Sequence, residues 1–195
     1  MKKNRLEAFS DGVLAIIITI MILEMKVPLG DHLADLAPIL PKFITYVLSY
    51  IYIGIYWNNH HHLWQAVQHV NGSVLWANLH LLFWLSLLPL ATGWMGENYH
   101  SSIPNALYGF ILLMASVAWW ILAKAVVKEE GELSQISKAY KRDIKTKLSM
   151  LAYAIGIILA FIQPILSILI YAAIAASWFI PDKRIERSIV KTDNQ

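Results

Sequence analysis

Six runs of mostly apolar residues, at roughly 6–27, 42–64, 73–95, 103–127, 147–162 and 165–180, leave this chain few ways to fold. A helix needs about 20 such residues to cross the hydrocarbon of a bilayer. Within a span every backbone N–H and C=O must find its partner inside the helix, because lipid offers none. The runs therefore predict an all-α integral membrane protein with six transmembrane helices in a single domain, 1–195. Composition agrees: 57% of the residues are hydrophobic and 15% charged, too apolar for a soluble domain of this length. The breaks make local sense, since "VPLGDHLADLAP" holds Pro28, Gly30 and Pro38, which stop helices and favour turns. The last two runs meet only at Gln163–Pro164 and form either a tight hairpin or one kinked helix. The first run has a basic start, but Glu7 and Asp11 follow and no small-residue cleavage site appears, so it reads as a span and not a signal peptide. With no cysteine, disulfides and thiolate chemistry are excluded.

Lys and Arg set the orientation. Lys2, Lys3 and Arg5 precede the first run. Lys124, Lys128, Lys138, Lys141, Arg142, Lys145 and Lys147 lie between the fourth and fifth runs or at their edges, and Lys183, Arg184, Arg187 and Lys191 follow the sixth. In a six-span arrangement all of these fall on one side, leaving Lys26 and Lys42 on the other. Both termini are expected in the cytoplasm of a multi-pass protein of the cell (plasma) membrane. Leu133, Ile136, Tyr140 and Ile144 recur at helical spacing within a basic segment, consistent with an amphipathic helix near lipid head groups or with a solvated connector.

The first run opens with charges, and these need an explanation. A charge at the centre of a bilayer costs roughly 2.5–3.5 kcal/mol, and less toward the interface. Glu7 and Asp11 are four residues apart, neighbours on one helix face and mutually repulsive. Arg5 lies on a different face from Asp11, so the partner of Asp11 is expected from another helix.

The spacing R-x-x-x-F-S-D, met as Arg5, Phe9, Ser10 and Asp11 and followed by "GVLAIIITIMILEMKVP", closely resembles the first-helix signature of the transmembrane protein 175 family of potassium channels. "YWNNHH", with Trp57 and His60, and "VLWANLHLLFWLSLLPLAT", with Trp76, Asn78 and Pro89, resemble weaker landmarks of that family. The resemblance implies a potassium-preferring cation channel without a re-entrant filter loop, in which the first helix of each subunit lines a central pore. It also implies a hydrophobic constriction at the positions of Ile16, Ile20 and Leu23, with Thr19 beside them. Arg5, Phe9, Ser10 and Asp11 become a structural motif, and Trp57, His60, Trp76 and Asn78 an inter-helix network, His60 joining Arg5 or Asp11. A single copy of the motif implies a homotetramer, embedded in lipid and passing monovalent cations, with potassium as the permeant ion and no cofactor. The sequence has no TVGYG-like run for a carbonyl filter and no helix with arginine at every third position. Ile16, Ile20 and Leu23 share one stripe, from which Asp11 points about 140° away. Because Ile17, Ile18, Met21 and Ile22 make the helix apolar all round, periodicity alone does not select that stripe.

Two other classes compete. His60, His61, His62, His69 and His80 could supply imidazoles to a metal, making a membrane metalloprotein. Consecutive histidines on a helix diverge by about 100°, however, and no nearby carboxylate orients them, so no metal site is expected. A proton-coupled transporter would use Asp11, Glu24 and the histidines, but the internal repeats and broken helices common in such carriers are not evident. Enzyme motifs and nucleotide-binding glycine loops are absent, and the basic face fits the positive-inside rule without calling for nucleic acid.

Overall fold

The structure, a computed structural model, describes residues 3–67, 69–131, 137 and 143–179. Among them the regular structure is helical: α1 (Lys3–Leu23), α2 (Leu40–Ala66), α3 (Gly72–Ser86), α4 (Leu88–Glu97), α5 (Ser102–Glu130), α6 (Ile144–Ala160) and α7 (Pro164–Trp178), with a short 3-10 turn at Leu33–Leu36. The basic stretch with Leu133, Ile136 and Tyr140 and the tail from 180 onward lie outside the described residues.

Local chemistry explains the helix limits. α1 stops at Leu23, short of the expected 27, because Pro28 disfavours helical backbone at the residue before it. Its last turns tighten, with the Met25 N–H on the Ile22 carbonyl at 3.2 Å. α2 starts with Pro41 in its first turn, where the missing N–H has no helical partner to lose. α6 begins at Ile144, before the expected 147, because Asp143 caps it: its carboxylate accepts from the Thr146 N–H at 3.1 Å.

The third apolar run, expected as one helix over 73–95, is two. α3 ends at Ser86 and α4 begins at Leu88, with Pro89 in its first turn. Proline cannot donate to the carbonyl four residues back and its ring crowds that turn. The Leu87 N–H takes up the Trp84 and Leu85 carbonyls instead. The result is a kinked rod, Gly72–Glu97. The Gln163–Pro164 junction resolves as a hairpin, since α6 and α7 are separate helices packed against each other.

By length and composition α1, the α3–α4 rod and α5 can each cross a membrane, while α7 is apolar but 15 residues long. α5 is the central helix, in contact with α3, α4, α6 and α7, whereas α1 lies across α2, α3 and α4. Four tyrosines knit the α2–α5–α6–α7 side. The Tyr52 hydroxyl donates to the Tyr171 carbonyl at 2.6 Å, and the Tyr171 ring stands 5.8 Å from Tyr108 and 6.4 Å from Tyr153. Tyr171 fits only because Gly109 and Gly156 face it. A Cβ at Gly109 would lie 2.0 Å from its hydroxyl oxygen, and one at Gly156 2.5 Å from its ring.

A candidate pore helix and its polar anchor

The two faces of α1 differ sharply. Leu6, Ser10, Leu14, Ile17 and Met21, spaced by three and four, form the buried stripe against α2, α3 and α4. The opposite stripe is open: Ile16 is 59% exposed, Ile20 42% and Leu23 75%, against 3% for Ile17. Thr19, also exposed, returns its hydroxyl to the Ala15 carbonyl at 2.9 Å, the usual local solution for a threonine within a helix. Within the single chain much of the apolar surface of Ile16, Ile20 and Leu23 stays uncovered, and it must meet lipid, another copy or a pore.

Ser10 secures this helix. Its hydroxyl donates to the Leu6 carbonyl at 2.8 Å and accepts from the Asn78 Nδ2 amide at 2.9 Å. Asn78 Oδ1 lies 2.7 Å from His60 Nε2, and the Trp64 indole N–H is directed at the His60 ring, 2.8 Å from Nε2 and 2.9 Å from Nδ1, with the two rings edge to face. The amide fixes the roles. Its nitrogen donates to Ser10, so its oxygen must accept, and His60 Nε2 therefore carries the proton, while the Trp64 N–H meets the face of the ring. Trp64, His60, Asn78 and Ser10 thus form one donor chain across α2, α3 and α1, and all four side chains are buried. A buried polar network of this kind specifies a geometry when every member is satisfied.

A second, exposed set borders it. Trp57 Nε1 donates to Asp11 Oδ1 at 3.1 Å, so Asp11 has a partner on another helix, yet it is exposed in the subunit. Trp57 stacks on His61 with 14° between ring planes, and His61 approaches Glu7 at 3.5 Å. Phe9 is outward, 53% exposed.

The structure departs from the expected grouping in three places. His60 joins Asn78 and Trp64 and does not contact Arg5 or Asp11, because it faces α3 and not the rim. Arg5 is exposed and makes no ion pair among the described residues. Trp76 is 72% exposed and outside the network, since two residues before Asn78 is about 200° around the helix. Missed altogether was Trp64, although its signal was present: a tryptophan one turn after a histidine recurs as His80 and Trp84, whose ring nitrogens are also 2.9 Å apart. No three His, Asp or Glu side chains gather as a metal site among the described residues.

Comparison with known proteins covers the same helices. The family model described as "Endosomal/lysosomal potassium channel TMEM175" matches residues 5–89, the segment from Arg5 through the kink at Pro89. A Chryseobacterium protein named as a potassium channel is 54% identical over 97% of this chain and 98% of its own length. The human protein named endosomal/lysosomal proton channel TMEM175 is 34% identical over 47% of this chain and 20% of its own. Among solved structures, the lysosomal potassium-selective channel TMEM175 homolog from Chamaesiphon minutus superposes with a TM-score of 0.79 at 25% identity, covering 91% of this chain and 96% of that one. With its anchor residues lying inside the matched segment and a full-length relative at that identity, this chain belongs to the TMEM175 family of membrane channels.

Proposed function

We propose that this protein is a potassium-preferring channel, a homotetramer in the cell membrane with α1 of each subunit lining the axis and all six helical rods crossing the bilayer. One observation carries the reading: α1 presents Ile16, Ile20 and Leu23 outward while the Ser10 network holds its opposite face against the rest of the subunit. Four such stripes facing one another make a narrow apolar constriction. Branched hydrocarbon offers a cation nothing in place of its hydration shell, so a closed ring blocks by dewetting. Potassium as the favoured ion rests on the names of the bacterial relatives. Both termini are assigned to the cytoplasm from the distribution of Lys and Arg.

Reconstitution tests this. Vesicles loaded with potassium and carrying the purified protein should show potassium flux above protein-free vesicles. A sodium gradient supplies the comparison that ranks the two ions, and no potassium flux would sink the reading. The vertebrate relatives named as proton channels favour a second permeant ion through the same path. An internal pH dye in the same vesicles reports it.

Assembly gives a further expected result. In mild detergent the protein should have the mass of four chains, and a conducting monomer would contradict the shared pore. Asp11, Phe9 and Trp57 are exposed on each subunit and are assigned to the contact between neighbours. Asp11→Ala should therefore lower the tetramer fraction and leave the potassium/sodium reversal potential unchanged. A shifted reversal potential with intact tetramers would place that carboxylate in the ion path instead.

A further inference from the structure

Ser10 is the firm end of α1. Eleven residues on, about 16 Å along the axis, the helix meets a second buried polar chain that the family motif does not include. Tyr108 Oη of α5 lies 2.9 Å from Ser49 Oγ of α2, and Ser49 Oγ lies 2.7 Å from Thr92 Oγ1 of α4. Thr92 Oγ1 lies 3.8 Å from Met21 Sδ of α1. All four side chains are buried. A thioether accepts but never donates. Three hydroxyl hydrogens therefore find three acceptors among these contacts in one order only: Tyr108 to Ser49, Ser49 to Thr92, Thr92 to the Met21 sulfur. The chain starts in the central helix and ends beneath the pore stripe, one residue from Ile20.

The two ends of α1 are thus held unequally. At Ser10 an amide donor meets a hydroxyl acceptor at 2.9 Å, backed by a histidine and a tryptophan. At Met21 the acceptor is sulfur, which takes a hydrogen bond only weakly. Between them Leu14 and Ile17 contribute apolar packing without polar contacts. The helix is built to stay at its Ser10 end and to part at its Met21 end.

We propose that the Thr92–Met21 contact is a latch that sets how readily the C-terminal half of α1 swings off its scaffold, and so how often the Ile16–Ile20–Leu23 constriction is open. The idea rests on the channel reading above. Met21 is a positioning residue: it touches no ion and acts through the helix it seats.

Met21→Leu is the test. It preserves bulk and apolarity but removes the acceptor, so that while α1 is seated the buried Thr92 hydroxyl has only the carbonyl one turn before it to fall back on. Basal potassium flux per tetramer should rise about three- to tenfold, the scale of one net hydrogen bond. In Met21→Leu/Thr92→Val both partners are gone and no orphan remains, so flux should return toward the wild-type value. A merely structural role would lower thermal stability without this rise and recovery. A second readout does not need conduction. The chain has no cysteine, so Ile17→Cys places a lone thiol on the buried face, with Leu14→Cys as the alternative site. Met21→Leu should speed labelling of that thiol by about the same factor as flux. Unchanged labelling overturns the latch, as does faster labelling with unchanged flux in a conducting protein. Wild-type vesicles without potassium flux, together with faster labelling in Met21→Leu, would support the swing and count against the channel reading alone.

Discussion

Ile16→Asn is expected to raise basal potassium flux about tenfold or more, with sodium gaining on potassium, while Ile17→Asn is expected to yield little folded protein. The two positions are neighbours in sequence and about 100° apart on the helix. Ile16 is 59% exposed in the subunit and Ile17 3%. At Ile16 an amide replaces hydrocarbon where the proposed closed ring would exclude water. Taking even about 1–3 kcal/mol as the difference in solvation per amide, the wetted fraction moves by about an order of magnitude for each 1.4 kcal/mol. At Ile17 the same amide is pressed against α2, α3 and α4 without a partner. The loss of close packing against those helices adds to about 1–3 kcal/mol for the unsatisfied group. That sum is a large share of the 5–15 kcal/mol by which proteins are ordinarily stable. Single-channel or flux recordings beside a folding yield decide the matter. If Ile17→Asn conducts freely and Ile16→Asn is silent, the pore stripe is misassigned by one face.

That α1 has two such different faces could not be read from its residues. Isoleucine and leucine occupy both stripes, and in a bilayer both are compatible with lipid. The distinction is made by what α2, α3 and α4 bring against the helix. The helices themselves were readable because each apolar run needs helical hydrogen bonding to enter lipid. The runs do not show their own breaks: Pro89 stood out in the sequence, yet a proline within a span can kink or end a helix, and here it divides α3 from α4. The seating of Tyr171 between Gly109 and Gly156 joins the last hairpin to the distant α5, and no local pattern announces it.

The polar anchor was half readable. Ser10, Asp11, His60 and Asn78 stand out as polar residues in apolar surroundings, and such residues must find partners. Which partner each takes depends on helix rotation. Trp57 and His60 are less than one turn apart, yet Trp57 turns to the rim and Asp11 while His60 turns inward to Asn78. Ser49, Thr92 and Tyr108 gave no signal, because hydroxyls are ordinary within spans and only the folded structure aligns these three behind Met21.

Asn78 is where the anchor is most vulnerable. Asn78→Leu keeps the branched skeleton in a bulkier form but deletes the acceptor of the His60 Nε2–H and the donor to Ser10. Ser10 keeps its bond to the Leu6 carbonyl, so its loss is partial. His60, 2% exposed and enclosed by Trp64, cannot turn to water. Its orphaned N–H should cost about 1–3 kcal/mol, which for a chain of this size lowers the melting temperature by about 2–12 °C. Because α1 loses its tie to α3 at the same time, tetramer yield should fall as well. Trp76→Phe, two positions away on the same helix but on its exposed face, should leave the melting temperature within about 1 °C, since surface changes away from buried features have small effects. Asn78→Leu/His60→Phe removes both members of the central pair and should recover part of the loss, because no histidine N–H is then left without an acceptor and the phenyl face still receives the Trp64 N–H. Thermal unfolding of the three variants in one detergent provides the comparison. If Trp76→Phe destabilises as much as Asn78→Leu, or the double variant is no better than the single, the buried donor chain does not hold α1 and the anchor must lie elsewhere.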